Sequence, residues 1–364
     1  MDSSIPITSL SVSAYQVPTD APESDGTLSW DSTTMVLVEL QADGKTGIGY
    51  TYGHQACATL IQDKLAGVVE GHNALEVRHG WLKVIEAIRN LGRPGISSMA
   101  ISAVDVAMWD LKARLLDIPL VSLLGALRPA APVYGSGGFT AYSAEQLTNQ
   151  LARWVDEGIP RVKMKIGREP DRDLERIRLA REAIGPDSEL YVDANGAYIR
   201  KQALAMAEAF RAYDVTWYEE PVTSDDLEGL RLLRDRAPAG IEISAGEYGY
   251  DLPYFRRLLE TGAVDVLQAD LTRCGGITGF MDVAVLCDAY QIPLSSHTAP
   301  ALHVHPGCCT TPLRHIEYFH DHARIEAMFF DGPVAPIAGV LEPDLSRPGL
   351  GLTFRRQEAE RYRL

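Results

Sequence analysis

The amino-acid sequence predicts an α/β protein, a (β/α)8 barrel with an N-terminal α+β capping domain. Three observations predict it. From Pro132 to Tyr318, eight short β-rich runs alternate with helical patterns in most of the gaps, as in a parallel sheet wrapped by its crossover helices. Residues 1–128 lack that alternation and read as strands followed by helices. Ionisable residues recur near the strand ends, at intervals of 20 to 28 residues from Lys165 to Glu317, which is the spacing of one βα unit.

The elements follow in order. Ile5–Tyr15, Thr33–Gln41 and Thr46–Tyr52 are β-prone, and Asp43-Gly44 supplies a tight turn between the last two. Between the first two lies Pro18–Ser32, rich in Pro, Asp, Ser and Gly, which reads as a polar loop carrying Trp30. A loop of that length inside a compact domain is more often functional than idle. Residues 56–117 read as helices, with apolar side chains at helical spacing from Ile101 to Leu115. Barrel strands are expected at Pro132–Ser136, Arg161–Ile166, Leu190–Asp193, Val215–Glu219, Glu242–Ala245, Val264–Ala269, Ile292–Ser296 and Arg314–Tyr318. A doubly wound open sheet is the competing fold, and the lack of a GxGxxG after the early strands argues against it. After His320 the chain turns polar and Pro-rich, so it is expected to leave the barrel and return to the cap. The expected units are 1–128, 129–322 and 323–364.

Charge and composition exclude several classes of function. The chain has 364 residues, 46% of them hydrophobic, with 49 acidic against 34 basic residues and a net charge of −15. So negative a surface repels phosphate backbones and anionic lipid, so neither nucleic acid nor membrane is an expected partner. No apolar run reaches the length of a membrane span, and Met1-Asp2-Ser3-Ser4 does not open a secretion signal. The five cysteines show no CxxC spacing, which fits free thiols in a reducing cytoplasm.

The strand ends carry the chemistry. Lys163 and Lys165, Asp193, Glu219, Glu247, Asp270, His297 and Glu317 fall at nearly the same phase of successive units, so they converge on one mouth of the barrel. Singly, a strand-end carboxylate is usually a helix cap and a lone His usually structural; their common phase argues for a site. Asp193, Glu219 and Glu247 come from adjacent strands, and three converging carboxylates repel unless a hard cation lies between them. All-oxygen ligands favour magnesium over zinc. Lys163 and Lys165 are two apart on a strand and project to one side. Two neighbouring ammoniums beside a metal are expected to lower at least one pKa toward neutrality, as a general base requires. Asp270 behind His297 would fix the imidazole tautomer and raise its basicity. Bases on two faces of one carbon suit proton removal next to a carboxylate and proton delivery on the other face, with Lys163 and the metal stabilising the enediolate.

These motifs resemble the enolase superfamily, mandelate racemase subgroup, over nearly the whole chain. The resemblance is carried by VKMKIG (Lys163, Lys165), VDANGAY (Asp193, Asn195), YEEP (Glu219), AGE (Glu247), QADLTRCGGITG (Asp270), SSH (His297) and HIEYF (Glu317), with AVDVAMWDLKARLLDIPLVSLLG ahead of the barrel. It implies that Asp193, Glu219 and Glu247 bind Mg2+, that Lys165 and His297 (paired to Asp270) are the two bases, and that Lys163 and Glu317 contact the substrate carboxylate. It places Asn195 near metal and substrate, and the segments around Pro18–Ser32 and Tyr50–His54 over the site. Trp30 and His54 are expected pocket residues on their loop position alone. Arg273 is expected to be structural, and His303, His305, Cys308 and Cys309 to pack or touch substrate in a short helix under the mouth.

The resemblance implies dehydration of an acid sugar to a 2-keto-3-deoxy acid. Racemisation or epimerisation of a 2-hydroxy acid by 1,1-proton transfer is the alternative, and a noncatalytic binding or structural protein a distant one. The expected partner is a small carboxylate, and a homo-oligomer is expected.

Overall fold

The computed structural model describes residues 4–364; Met1–Ser3, read above for a leader, lie outside them. The capping sheet is antiparallel, in the order β1 (Ser9–Ser24), β2 (Ser29–Ala42) and β3 (Lys45–Tyr52). The Asp43-Gly44 turn closes β2 onto β3, both residues having positive φ (45° and 70°). The segment Pro18–Ser32 is not the loop expected from its composition. Pairing continues to Pro18↔Ser32, breaks in a bulge, and resumes at Glu23↔Trp30 and Ser24↔Ser29. The bulge accommodates Pro22, which has no N–H to give a ladder. Asp25 then makes the turn: its Oδ1 accepts from the backbone N–H of Thr27 (2.6 Å) and of Leu28 (2.7 Å). The result is a stiff hairpin rather than a slack loop.

The helix Ile96–Leu115 packs across this sheet. The approach is close because β3 is glycine where they meet: a Cβ on Gly49 would lie 2.3 Å from the carbonyl oxygen of Ala103.

Eight parallel strands follow: β4 (Ala131–Gly137), β5 (Arg161–Lys165), β6 (Glu189–Asp193), β7 (Val215–Glu219), β8 (Glu242–Ala245), β9 (Val266–Ala269), β10 (Leu294–Ser296) and β11 (Leu313–Phe319). They pair in chain order, and β11 closes onto β4, from Ile316↔Val133 to Phe319↔Ser136. The (β/α)8 barrel is therefore complete. Tyr134, Tyr191, Trp217 and Val266 form a buried cluster on the strands' inner side, with Tyr191 stacked on Trp217 at 5.2 Å between ring centroids.

The reading of a polar tail after His320 fails for its first nine residues. His320–Phe329 is the helix that follows β11. Its apolar side, Ile325 and Phe329, is buried, but so are Asp321, His322 and Glu326. Those polar side chains meet the cap: Thr33 bonds Asp321, and the Tyr50 hydroxyl donates to Glu326 at 2.7 Å. A helix that buries polar groups against a second domain loses the apolar stripe by which sequence reveals a helix. Beyond it, the chain pairs Val340 and Leu341 with Pro132 and Ala131 under β4. It ends on the cap, where Leu364 N–H donates to the Ala14 carbonyl at 2.9 Å. Among the described residues no helix is long and apolar enough to cross a membrane.

Candidate active site

The eight strand-end residues meet at one mouth. Val162, Met164 and Ile166 pack outward as core while Lys163 and Lys165 turn inward, the period-2 alternation of a strand. Lys163 is 0% exposed. Its ammonium donates to Glu219 Oε1 (2.6 Å) and Glu317 Oε1 (2.8 Å) and lies 3.6 Å from Asp193 Oδ2. Lys165, at the end of β5, pairs directly with Asp193. On the far strands His297 Nδ1 bonds Asp270 Oδ2 at 2.8 Å. Its Nε2 lies 3.2 Å from Glu247 Oε2 and 3.9 Å from Glu317 Oε2.

Backbone and neighbouring side chains hold these groups in place. The Asp270 carboxylate accepts from Thr272 N–H at 2.7 Å, and Glu317 from Thr298 N–H at 2.7 Å. Asn195 N–H donates to Asp193 Oδ1 at 2.9 Å. Arg273, expected only to be structural, joins the site: its guanidinium lies 3.5 Å from Asp270 and 3.6 Å from Glu247 and donates to the Glu247 carbonyl.

The surrounding carboxylates set the proton balance of the lysines. Burial alone would lower both, but the carboxylates outweigh it and hold both well above the ordinary lysine value: Glu219 and Glu317 act on Lys163, Asp193 on Lys165. Mutual repulsion of the two ammoniums is the smaller effect, since several buried carboxylates surround them. His297 goes the same way. Burial would lower it, yet Glu247, Asp270 and Glu317 raise it to about 10.

Asp193, Glu219 and Glu247 fit a divalent cation. All three are buried, and one oxygen from each lies within 4.8 Å of the others. Glu247 Oε2, although close to His297, is buried without an aligned hydrogen bond. A buried, incompletely bonded carboxylate oxygen facing two others suits a hard ion that takes oxygen ligands.

A cavity of about 320 Å3 opens above these groups between barrel and cap. Lys165, Asn195, Glu247, Arg273, His297 and Glu317 line it from the barrel, and Asp25, Leu28 and Trp30 from the hairpin. Trp30 packs edge-on against Phe139 and donates its indole N–H to Glu23. Lys163 and the other strand-end carboxylates do not line the cavity; they support its floor. His54 is not in it either: its ring is exposed and accepts the Ala56 N–H, beginning a helix. His303 and His305 are packing residues, bonded to Leu271 N–H and Val121 N–H, and all five cysteines are free and buried. Sequence reasoning missed His322, which lines the cavity and stacks on Tyr52 with centroids 3.5 Å apart. Burial holds its ring neutral, with a pKa of about 3. Its signal was hidden in the supposed tail.

A closed barrel whose mouth gathers three carboxylates, two lysines and a carboxylate-backed histidine defines a class of barrel enzymes with a metal-binding centre. Residues 8–125 match the family described as "Mandelate racemase / muconate lactonizing enzyme, N-terminal domain", and residues 146–359 that described as "Enolase C-terminal domain-like". The chain belongs to the mandelate racemase/muconate lactonizing enzyme family of the enolase superfamily, and it is an enzyme. It is 56% identical to a mandelate racemase/muconate lactonizing enzyme-like protein from Rubrobacter xylanophilus, whose crystal structure matches 99% of this chain and 100% of that one with a TM-score of 0.97. It is 33% identical to a 3,6-anhydro-alpha-L-galactonate cycloisomerase of Streptomyces coelicolor, over 94% of this chain and 96% of that protein. The L-talarate/galactarate dehydratase of Salmonella typhimurium, crystallised with Mg and L-lyxarohydroxamate, is 27% identical with a TM-score of 0.91, covering 100% of this chain and 94% of that one.

Proposed function

We propose that the chain removes the proton next to the carboxylate of an acid sugar and expels water from the adjacent carbon, giving a 2-keto-3-deoxy acid. The observation that carries this reading is the placement of two proton-transfer groups at the two ends of one carboxylate set: Lys165 against Asp193, and His297 against Glu247 and Asp270. Asp193, Glu219 and Glu247 would hold Mg2+, which supplies a hard Lewis acid for the substrate carboxylate.

The residues divide the work. With Asp193 holding a cation, Lys165 would lose the partner that keeps its ammonium charged, and burial would then favour the neutral amine. That amine takes the proton from the alpha carbon, and the C–H electrons pass into the enediolate. As the enediolate collapses, a double bond forms between the alpha and beta carbons and the beta C–O bond breaks. The imidazolium of His297 gives its proton to the departing oxygen, so water leaves; Asp270 stabilises the ring's charged form beforehand. The resulting enol becomes the 2-keto acid. Lys163, pinned among carboxylates, places Glu219 and Glu317. Trp30 and Leu28 on the hairpin help exclude water.

The dehydratase and cycloisomerase relatives support the class of substrate. Racemisation is the second reading, favoured by the same pairing of Lys165 with His297. Incubation with Mg2+ and a panel of mono- and diacid sugars tests the proposal. Dehydration yields a 2-keto acid trapped as its semicarbazone; racemisation yields none. Failure to consume any acid sugar, or to exchange its alpha proton in heavy water, would refute it.

A further inference from the structure

The cavity at His297 meets a larger one, of about 610 Å3. Asn195 and Tyr248 line both. The hairpin tip reaches both as well, with Asp25 and Leu28 at the smaller and Thr27 at the larger. The outer chamber's lining includes residues just past the carboxylates of three strands: Asn195 two residues after Asp193, Glu220 directly after Glu219 and Tyr248 directly after Glu247. Asn195 and Tyr248 border both chambers, so a ligand whose carboxylate is held at the inner site would reach the outer one across these two side chains.

The wall of that chamber is short of hydrogen-bond partners. Glu220, 1% exposed, has Oε1 unbonded; Asn195 Oδ1 and the Tyr254 hydroxyl are likewise buried and unbonded. Glu220 also sits at φ 38°, a left-handed conformation that is costly for a non-glycine residue and tends to be kept where function requires it. Such orphaned polar atoms are uncommon in native proteins. Three on side chains of one cavity wall, two acceptor oxygens and a phenol that can donate or accept, ask for a ligand rich in hydroxyls, which do both. Tyr248, Tyr250 and Tyr254 add ring faces, against which the C–H side of a sugar chain packs while its hydroxyls reach the polar atoms. Asp225 and Asp251 are also in the wall, with Arg257 as its one basic residue. Three acidic residues, Glu220, Asp225 and Asp251, thus face one basic residue, so a second carboxylate on the ligand would meet a wall of net negative charge.

From this we infer that the outer chamber is a subsite for a neutral, polyhydroxylated tail, so that the substrate is a monocarboxylic sugar acid rather than a diacid. The inference rests on the acid-sugar reading above and narrows it.

The test compares kcat/KM, with Mg2+ present, for a six-carbon aldonate, the aldarate of the same configuration, and glycerate, which lacks the tail. The aldonate is expected to exceed the aldarate at least tenfold. Tyr254→Phe is expected to lower the aldonate-to-glycerate ratio about fivefold to tenfold, the loss of one hydrogen bond in a buried site. An aldarate used as well as the aldonate, or an unchanged ratio in Tyr254→Phe, overturns the inference. Saturation-transfer NMR with xylitol as the probe examines the chamber without turnover. Saturation of xylitol by the native protein, weakened in Tyr254→Phe and Glu220→Gln, supports the subsite; no saturation in the native protein overturns it. If xylitol binds in this way while no acid sugar is consumed, the subsite stands and the proposed reaction fails. If acid sugars are consumed with no chain-length preference and no xylitol binding, the reverse holds.

Discussion

The indole N–H of Trp217 donates to Oε2 of Glu219 at 2.9 Å, two residues along the same strand. Lys163 occupies the other oxygen, at 2.6 Å. Glu219 is therefore oriented from both sides before any ligand arrives, and Trp217 is itself fixed by stacking on Tyr191.

Removing that indole N–H should loosen the carboxylate without opening the barrel. Trp217→Phe keeps a ring against Tyr191 but leaves Glu219 Oε2 without its donor. Magnesium affinity is expected to fall roughly tenfold, the usual size of such an outer-contact effect. Calorimetric titration with Mg2+ measures it, and an unchanged affinity in a folded variant removes Trp217 from this role.

The proposed metal ligands make a direct prediction. Chelation with EDTA should abolish turnover without unfolding, because the site sits on a barrel whose core is complete without it. Glu247→Gln should act similarly by removing one anionic ligand. Full activity in excess EDTA would sink the reading.

The two proton-transfer groups should separate under mutation. His297→Asn is expected to block elimination while Lys165 still exchanges the alpha proton of a substrate presented to it. Lys165→Ala should erase that exchange. Deuterium incorporation followed by NMR distinguishes the variants, and native behaviour in both would end the two-base assignment.

Gly26 at the hairpin tip packs directly on the barrel mouth. A Cβ there would lie 2.4 Å from the Ala194 carbonyl oxygen and 2.7 Å from that of Ile166. Both obstacles are backbone and cannot swing aside. Gly26→Ala should therefore lift the tip and raise KM for substrate by about tenfold, with magnesium affinity near normal. Steady-state kinetics alongside metal titration checks the split.

Asp105 links cap to barrel by accepting from Thr278 N–H (2.9 Å) and its hydroxyl (2.6 Å). Burial raises its carboxyl to about 7, against a usual value near 3.8. The folded state then binds more protons than the unfolded one between those values, so this group's contribution to stability falls as pH rises from about 4 through 7. Asp105→Asn should flatten that part of the pH–Tm curve. Identical slopes for the two proteins from pH 4 to 8 would show that Asp105 ionises freely.

The repeat of β-rich runs, together with Lys165, Asp193, Glu219, Glu247, Asp270, His297 and Glu317 in phase along it, was legible without coordinates. A parallel barrel puts each strand end at the same mouth, so residues at equal phase must converge; local periodicity suffices to say so. Trp30 was reachable by its position, whereas His54 had the same kind of argument and lies outside the cavity. Loop position says that a residue can reach a site, not which way its side chain turns.

Other features arise only when distant segments meet. The Pro18–Ser32 segment becomes a hairpin because β2 supplies its partners, which its own turn-rich composition conceals. His322 looked like part of a polar tail because the helix that carries it buries polar residues against Tyr50, Tyr52 and Thr33 of the cap. Carboxylates brought in on other strands, which an argument from two neighbouring ammoniums leaves out, favour the charged form of both lysines. The outer chamber exists only where three strand ends pass beneath one hairpin tip. Periodicity along the chain determines which elements form and where their ends fall. Charge balance and cavity shape depend on sums over residues far apart in sequence, and only the packed structure sets those distances.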